Sequence, residues 1–171
     1  MKQSLVTLLN GLDSALPPGV DVEVSGLQSD SRLVRPGDLF VAVKGYQADG
    51  NAYVQDAIDR GAVAVITSDP GVYSEQVPVI RVANDRRAAS YLADRFFHSP
   101  STQLSVIGIT GTNGKTTTAT LLTSILSEQG FRVAQMGTLG LIAPGYERNK
   151  SLTTPDAIAL QRTFSRLLED R

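Results

Sequence analysis

Apolar residues recur along this chain in two rhythms, one helical and one extended. Leu5, Leu8, Leu9 and Leu12 fall at helical spacing behind Ser4, a side chain suited to capping, and Gly11 lies near the helix end. Pro17-Pro18-Gly19 is a turn, and Val20, Val22 and Val24 then alternate with acids as in a half-buried strand. Two polar loops follow, Ser29-Asp30-Ser31-Arg32 with Pro36-Gly37-Asp38, and Lys44 to Gly50, separated by a strand from Leu39 to Val43. Asn51 is placed to cap a helix that reaches Arg60 and stops at Gly61, with Val54, Ala57 and Ile58 inward. Ala62 to Ile66 and Val77 to Val82 are continuous apolar runs, the kind buried on both faces of a sheet. Asn84 caps a further helix carrying Ala88, Tyr91, Leu92 and Phe96. This β-α-β-β-α order predicts a small α/β domain over residues 1–100, ending at His98-Ser99-Pro100-Ser101.

A second unit is predicted over 104–171. Leu104 to Ile109 reads as a strand, followed by a glycine-rich turn and a helix to Gln129 with Ala119, Leu121, Leu122, Ile125 and Leu126 inward. Phe131 to Met136 is the next strand, closing one βαβ unit. Ala143 to Ser151 is a polar excursion. Pro155 fits the first turn of a last helix with an apolar stripe of Ile158, Leu160, Phe164, Leu167 and Leu168. Two strands and two helices cannot cover both faces of a doubly wound sheet. The expectation is therefore an α/β chain whose second, parallel-sheet unit is truncated, the remaining strands lying in a longer parent protein.

The chemistry centres on Gly108-Ile109-Thr110-Gly111-Thr112-Asn113-Gly114-Lys115-Thr116-Thr117. Strand, glycine turn and helix make a phosphate cradle, because turn amides point inward and a helix N-terminus carries about half a positive charge. Gly111 to Thr117 are the nucleotide-binding candidates. Lys115 is placed to reach the outer phosphates, and the Thr116 hydroxyl to hold magnesium. The common phosphate-loop pattern wants a glycine where this chain has Ile109, with Gly111 three residues before Gly114 instead.

Composition narrows the field. A hydrophobic share of 42% against 19% charged argues for a folded globular chain. A net charge of -1 gives no bulk attraction to nucleic acid or anionic lipid. With no cysteine, disulfides, thiolate zinc sites and a thiol nucleophile are excluded, a composition that suits the cytoplasm. No apolar run nears the roughly 20 residues that span a bilayer.

Four blocks together resemble the Mur ligases of peptidoglycan synthesis. They are Asp30-Ser31-Arg32 with Gly37 to Ala42, Gly45 to Gly50, Thr110 to Thr117, and Thr153-Thr154-Pro155-Asp156. The resemblance is nearest to the branch that adds the third amino acid, a diamino acid, to a UDP-muramoyl dipeptide. It implies a UDP-substrate domain followed by the start of a Rossmann-like ATPase domain, with ATP and magnesium as cofactors. The implied reaction phosphorylates the D-glutamate carboxylate to an acyl phosphate, which the incoming amine attacks. It implies that Lys115 and Thr116 serve catalysis, that Ser29, Ser31, Tyr46, Gln47 and Ala48 contact the uridine nucleotide, and that Thr153 and Thr154 contact the muramoyl-peptide part. Tyr46 stands where some members have histidine. The resemblance further implies a monomeric full-length enzyme, whose second metal-binding glutamate and carbamylated lysine lie beyond Arg171. The isolated chain is accordingly expected to be inactive. The alternatives are a sister ligase of the same family, a phosphate-loop hydrolase or kinase, and a nucleotide-binding module without ligase chemistry.

For other polar residues the plain structural role is the stronger. Asp30 and Arg32 are as well explained by a turn-shaping ion pair as by substrate contact. Asp49 is expected to form a turn. His98, the sole histidine, sits at a helix C-terminus, where a structural role is expected.

Overall fold

The computed structural model describes residues 2–45, 48–146 and 155–170. They form two compact units, one of residues 1–104 with 157–171 and the other of residues 105–156. The last helix, read from sequence as part of the second unit, packs with the first.

In the first unit the strands are β1 (Gln3–Ser4), β2 (Ser14–Ala15), β3 (Glu23–Val24), β4 (Gly26–Gln28), β5 (Asp38–Ala42), β6 (Ala64–Thr67) and β7 (Val79–Val82). Its helices are α1 (Leu5–Leu9), α2 (Val54–Asp59), α3 (Asp85–Phe96) and, from the end of the chain, α5 (Ala157–Glu169). The α/β class is borne out: β4, β5, β6 and β7 are parallel neighbours, with β2 antiparallel on the outer side of β7. Phe40 pairs with Val65, and Val65 with Val79. Every residue of β5 and β6 is buried. This explains why they read as apolar runs and not as alternation.

The period of two still sorts their side chains. Leu39, Val41, Ala64, Ile66 and Ile80 join one cluster with Leu5 and Leu8 of α1 and Ala88 and Leu92 of α3. Phe40, Ala42 and Val65 join the other with Val54, Ala57 and Ile58 of α2. Helices thus cover both faces of the sheet. α3 starts where Asn84 predicts, its side chain accepting a hydrogen bond from the Arg87 N–H at 2.8 Å. Asn51 is not the cap of α2. It lies inside a 3-10 turn, Gly50–Tyr53, capped by Asp49, whose Oδ1 accepts from the Asn51 N–H at 3.0 Å. Asp49 is therefore the turn former expected of it.

The second unit holds α4 (Lys115–Glu128) and the strands β8 (Gln135–Gly137) and β9 (Gly140–Ile142). Two expectations are corrected here. Leu104 to Ile109 carries no strand, and the strand read over Phe131 to Met136 is β8, paired antiparallel with β9 in a hairpin turning at Thr138-Leu139. A strand needs at least one laterally bonded partner. Among the described residues the first run has none, and Val106, Ile107, Phe131 and the α4 residues Leu121 and Ile125 are largely exposed. α4 is tied to β8 through Gln135, which is buried and lies 3.4 Å from the hydroxyls of both Thr120 and Thr123.

Candidate functional site

Two groups of candidate residues stand in the two units. In the first unit they lie beyond the carboxyl ends of parallel strands, where ligands bind in open α/β sheets. β4 ends at Gln28 and leads into Ser29 to Ser31; β5 ends at Ala42 and leads into Lys44 to Gly50. Because β4 and β5 are parallel, both loops leave the same end of the sheet.

Ser31 opens a 3-10 turn, Ser31–Leu33, and is only 5% exposed. Asp30 caps this turn by accepting from the Arg32 N–H at 3.0 Å. The Arg32 guanidinium grips the same carboxylate with two bonds, of 2.9 and 2.7 Å. Asp30 and Arg32 are thus the turn-shaping pair, and Arg32 lowers the Asp30 pKa below its ordinary value. The Ser31 hydroxyl in turn engages Asp56 in the first turn of α2, and together with Arg60 it holds the Asp56 carboxyl below the usual carboxylate range. Sequence reading passed over Asp56, which lies far from Ser31 in the chain. Its one signal is its place in the first turn of a helix, where an acid is favoured.

These two depressed carboxyls have a defined consequence. A group whose pKa is lower in the folded state adds stability that is present above the unfolded value of about 4 and lost as pH falls through the folded value. The Asp56→Asn variant should therefore be less stable than the parent near neutrality, with the difference closing below about pH 4. Urea midpoints measured from pH 6 to 2.5 check this; a difference that stays constant across the range contradicts it.

The second loop is closed at its neck. The Gly45 N–H donates to the Ala48 carbonyl at 2.9 Å and the Gly50 N–H to the Val43 carbonyl at 3.0 Å. Ala48 is exposed. At the end of β6, buried Thr67 donates to Asn51 Oδ1 at 2.6 Å and accepts from the Asp69 N–H at 2.9 Å, so it joins this loop to the one after β6. Tyr46, Gln47, Thr153 and Thr154, four of the expected substrate contacts, lie outside the described residues. Ser29 is half-buried at the carboxyl end of β4.

In the second unit the glycine turn has the geometry its sequence requires. Gly111 and Gly114 have φ of 146° and 78°, conformations that side chains oppose. Gly114 stands at the start of α4 without a side-chain cap. Gly111, Thr112, Asn113 and Gly114 are exposed, as are Thr116 and Thr117. The Lys115 ammonium folds back to donate to the carbonyls of Gly111 and Thr112. Free helix-start amides, an ammonium at the rim and glycines that leave the backbone approachable fit a polyphosphate tail. For a metal the protein offers little by itself. Among the described residues no three His, Cys, Asp or Glu side chains gather.

The family matches fall on both units. The description "Mur ligase family, catalytic domain" matches residues 23–97 and "Mur ligase middle domain" matches residues 109–171. The chain belongs to the Mur ligase family. It is 39% identical over 152 residues to the UDP-N-acetylmuramoyl-L-alanyl-D-glutamate–2,6-diaminopimelate ligase of Geobacillus thermodenitrificans, a match over 89% of this chain and 31% of that protein. A solved structure of a ligase of that name aligns over 99% of this chain and 34% of its own, with a TM-score of 0.69 and 28% identity. The MurF ligase of Thermotoga maritima, solved with ADP, aligns over 81% of this chain and 28% of its own, with a TM-score of 0.51 and 28% identity. The chain spans about a third of the length of the curated relatives it matches.

Proposed function

We propose that this chain is the N-terminal portion of an ATP-dependent amide ligase of peptidoglycan precursor synthesis. It adds a diamino acid, meso-diaminopimelate or L-lysine, to UDP-N-acetylmuramoyl-L-alanyl-D-glutamate. Residues 1–100 form the UDP-substrate domain, and 104–171 begin the ATP-binding domain. The observation that carries this reading is the glycine turn with the Lys115 ammonium at its rim. The identity to ligases with that substrate in their names supports the choice of substrate.

A carboxylate is a poor electrophile, and ATP supplies the phosphoryl group that turns one of its oxygens into a leaving group. In this reading Gly111 to Thr117 wrap the triphosphate, and Lys115 exchanges its two carbonyl partners for phosphate oxygens. It thereby offsets the charge that moves during transfer. The Thr116 hydroxyl would help hold magnesium, which would supply positive charge to offset that of the phosphates. Ser29, Ser31, Tyr46, Gln47 and Ala48 hold the uridine nucleotide, and Thr153 and Thr154 the muramoyl-peptide part. Ser31 enters this role already oriented by Asp56. ATP and UDP-linked sugars are cytoplasmic metabolites, which places the enzyme in the cytoplasm, acting as a monomer on a small substrate, without nucleic acid or membrane insertion. No helix among the described residues is long and apolar enough to cross a membrane. The 171-residue chain alone binds its ligands without completing the ligation.

Titrating the chain with ATP and with UDP-N-acetylmuramoyl-L-alanyl-D-glutamate tests this. Binding of both supports the ligase. Binding of ATP alone favours a nucleotide-binding module and overturns the substrate assignment.

A further inference from the structure

Resting on that reading, we infer that Asp85 is a positioning residue for the substrate loop, because it fixes the Lys44 peptide from which Gly45 to Gly50 is hung. Lys44 is the last residue before that loop, and both of its backbone hydrogen-bonding groups are taken. Its N–H donates to Asp85 Oδ2 at 3.1 Å, and its carbonyl accepts from Arg86 Nη2 at 2.8 Å. Consecutive residues in the first turn of α3 thus hold one residue from two sides.

Asp85 is itself well placed to act as a fixed point. It is 7% exposed, and the same Oδ2 accepts from Ser68 Oγ at 3.0 Å. The helix beneath it is capped by Asn84 and buries Ala88, Ala89, Leu92, Ala93 and Phe96. A carboxylate on such a base cannot follow a moving loop.

The loop's internal bonds do a different job. Gly45 to Ala48 and Gly50 to Val43 close its neck and give it a shape. Its direction over the sheet end is set where it meets another element, and Lys44 meets α3, 41 residues away in the chain. The neck is closely packed, since a Cβ at Gly50 would lie 2.7 Å from the Val43 carbonyl oxygen. Loss of the Asp85 anchor therefore shifts Lys44 and Gly45, where the loop leaves the sheet, and Ala48, which is bonded to Gly45, shifts with them away from the uridine nucleotide. Displacements near 1 Å at a positioning shell are costly in binding and rate. The nucleotide turn at Gly111 to Thr117 is in the other unit and does not share this anchor.

The test uses the 171-residue chain, with calorimetric titration of UDP-N-acetylmuramoyl-L-alanyl-D-glutamate and, separately, of ATP. Asp85→Ala should weaken the UDP-linked ligand about 10-fold and leave ATP affinity unchanged. Asp85→Asn, which keeps an acceptor at the same place, should stay within about 3-fold of the parent. Arg86→Ala, an exposed change that removes the donor to the Lys44 carbonyl, should cost about 3- to 5-fold. Amide exchange at Lys44 should quicken in Asp85→Ala. Parent-like affinity in both alanine variants overturns the inference, as does an equal loss of ATP and UDP-ligand binding. Should Asp85→Ala fail to fold, Arg86→Ala decides in the same way. A parent chain that binds ATP but not the UDP-linked ligand overturns the proposed function instead, and is told apart because it concerns the unaltered protein.

Discussion

Lys115→Ala should weaken ATP binding by about 10- to 100-fold while leaving the fold intact. The ammonium is the one side-chain charge that meets the turn carbonyls of Gly111 and Thr112 in the described geometry. Hydrogen bonds to charged groups are worth about 1.5–3 kcal/mol each. Each 1.4 kcal/mol is a factor of ten in affinity. The residue sits on the exposed first turn of α4, so alanine there removes no core contact and keeps helix propensity. Isothermal titration with ATP at fixed magnesium reads the effect, and the urea midpoint confirms that stability is unchanged. Lys115→Arg restores charge without restoring the compact point donor, so it should recover only part of the loss. Unchanged ATP affinity in Lys115→Ala would falsify the assignment of this turn as the triphosphate cradle.

Phe40→Ala should be the most destabilising simple change in the first unit. Phe40 is fully buried on β5, among Val34, Val54, Ala57, Ile58 and Val65. Removing a buried phenyl ring costs about 3–5 kcal/mol, the transfer loss adding to the cavity left behind. That is a large part of the roughly 5–15 kcal/mol that holds an ordinary domain together. The expected result is a thermal midpoint lower by on the order of 10–20 °C, with a smaller drop for Phe40→Leu. β5 also leads at its carboxyl end into Lys44 and the Gly45 to Gly50 loop, so weakened packing should appear as faster exchange of the Lys44 amide. A denaturation curve displaced by less than about 1 kcal/mol would mean that the pocket collapses around the missing ring.

How much of this was legible in the sequence follows from where each signal is stored. β5 and β6 were readable because burial on both faces leaves an apolar run, whereas β7 was readable from Val79, Ile80 and Val82 despite the exposed Arg81. α3 was readable from Asn84, whose capping bond is local. β4 was not, since only Leu27 of its three residues is buried and its strand character comes from pairing with β5. β1 and β2 have two residues each and are defined by partners distant in the chain. The apolar spacing of α4 predicted a helix correctly but not its coverage, because periodicity says which residues share a stripe and not what lies against it. The last helix shows the same limit: its stripe was seen, and its seat on the first unit was not. At the candidate site the glycine turn was legible because its geometry is written in adjacent residues. The anchoring roles of Asp56 and Asp85 were not legible because Ser31, Ser68 and Lys44 lie on other elements, and a place in the first turn of a helix does not tell an anchor from an ordinary acid.

The order of the sheet also governs how this unit reaches its native form. None of the neighbouring pairs β4–β5, β5–β6 or β6–β7 is a hairpin, since each is parallel. β2 closes the row by pairing Ser14 with Val82. β2 must therefore wait for β7, made much later in synthesis, and each parallel ladder needs a crossover connection before it can close. Such non-local pairing makes folding slower than in a helical bundle built from local contacts. Until those pairings form, the apolar strands β5 and β6 stand unpaired and are open to pairing with another chain.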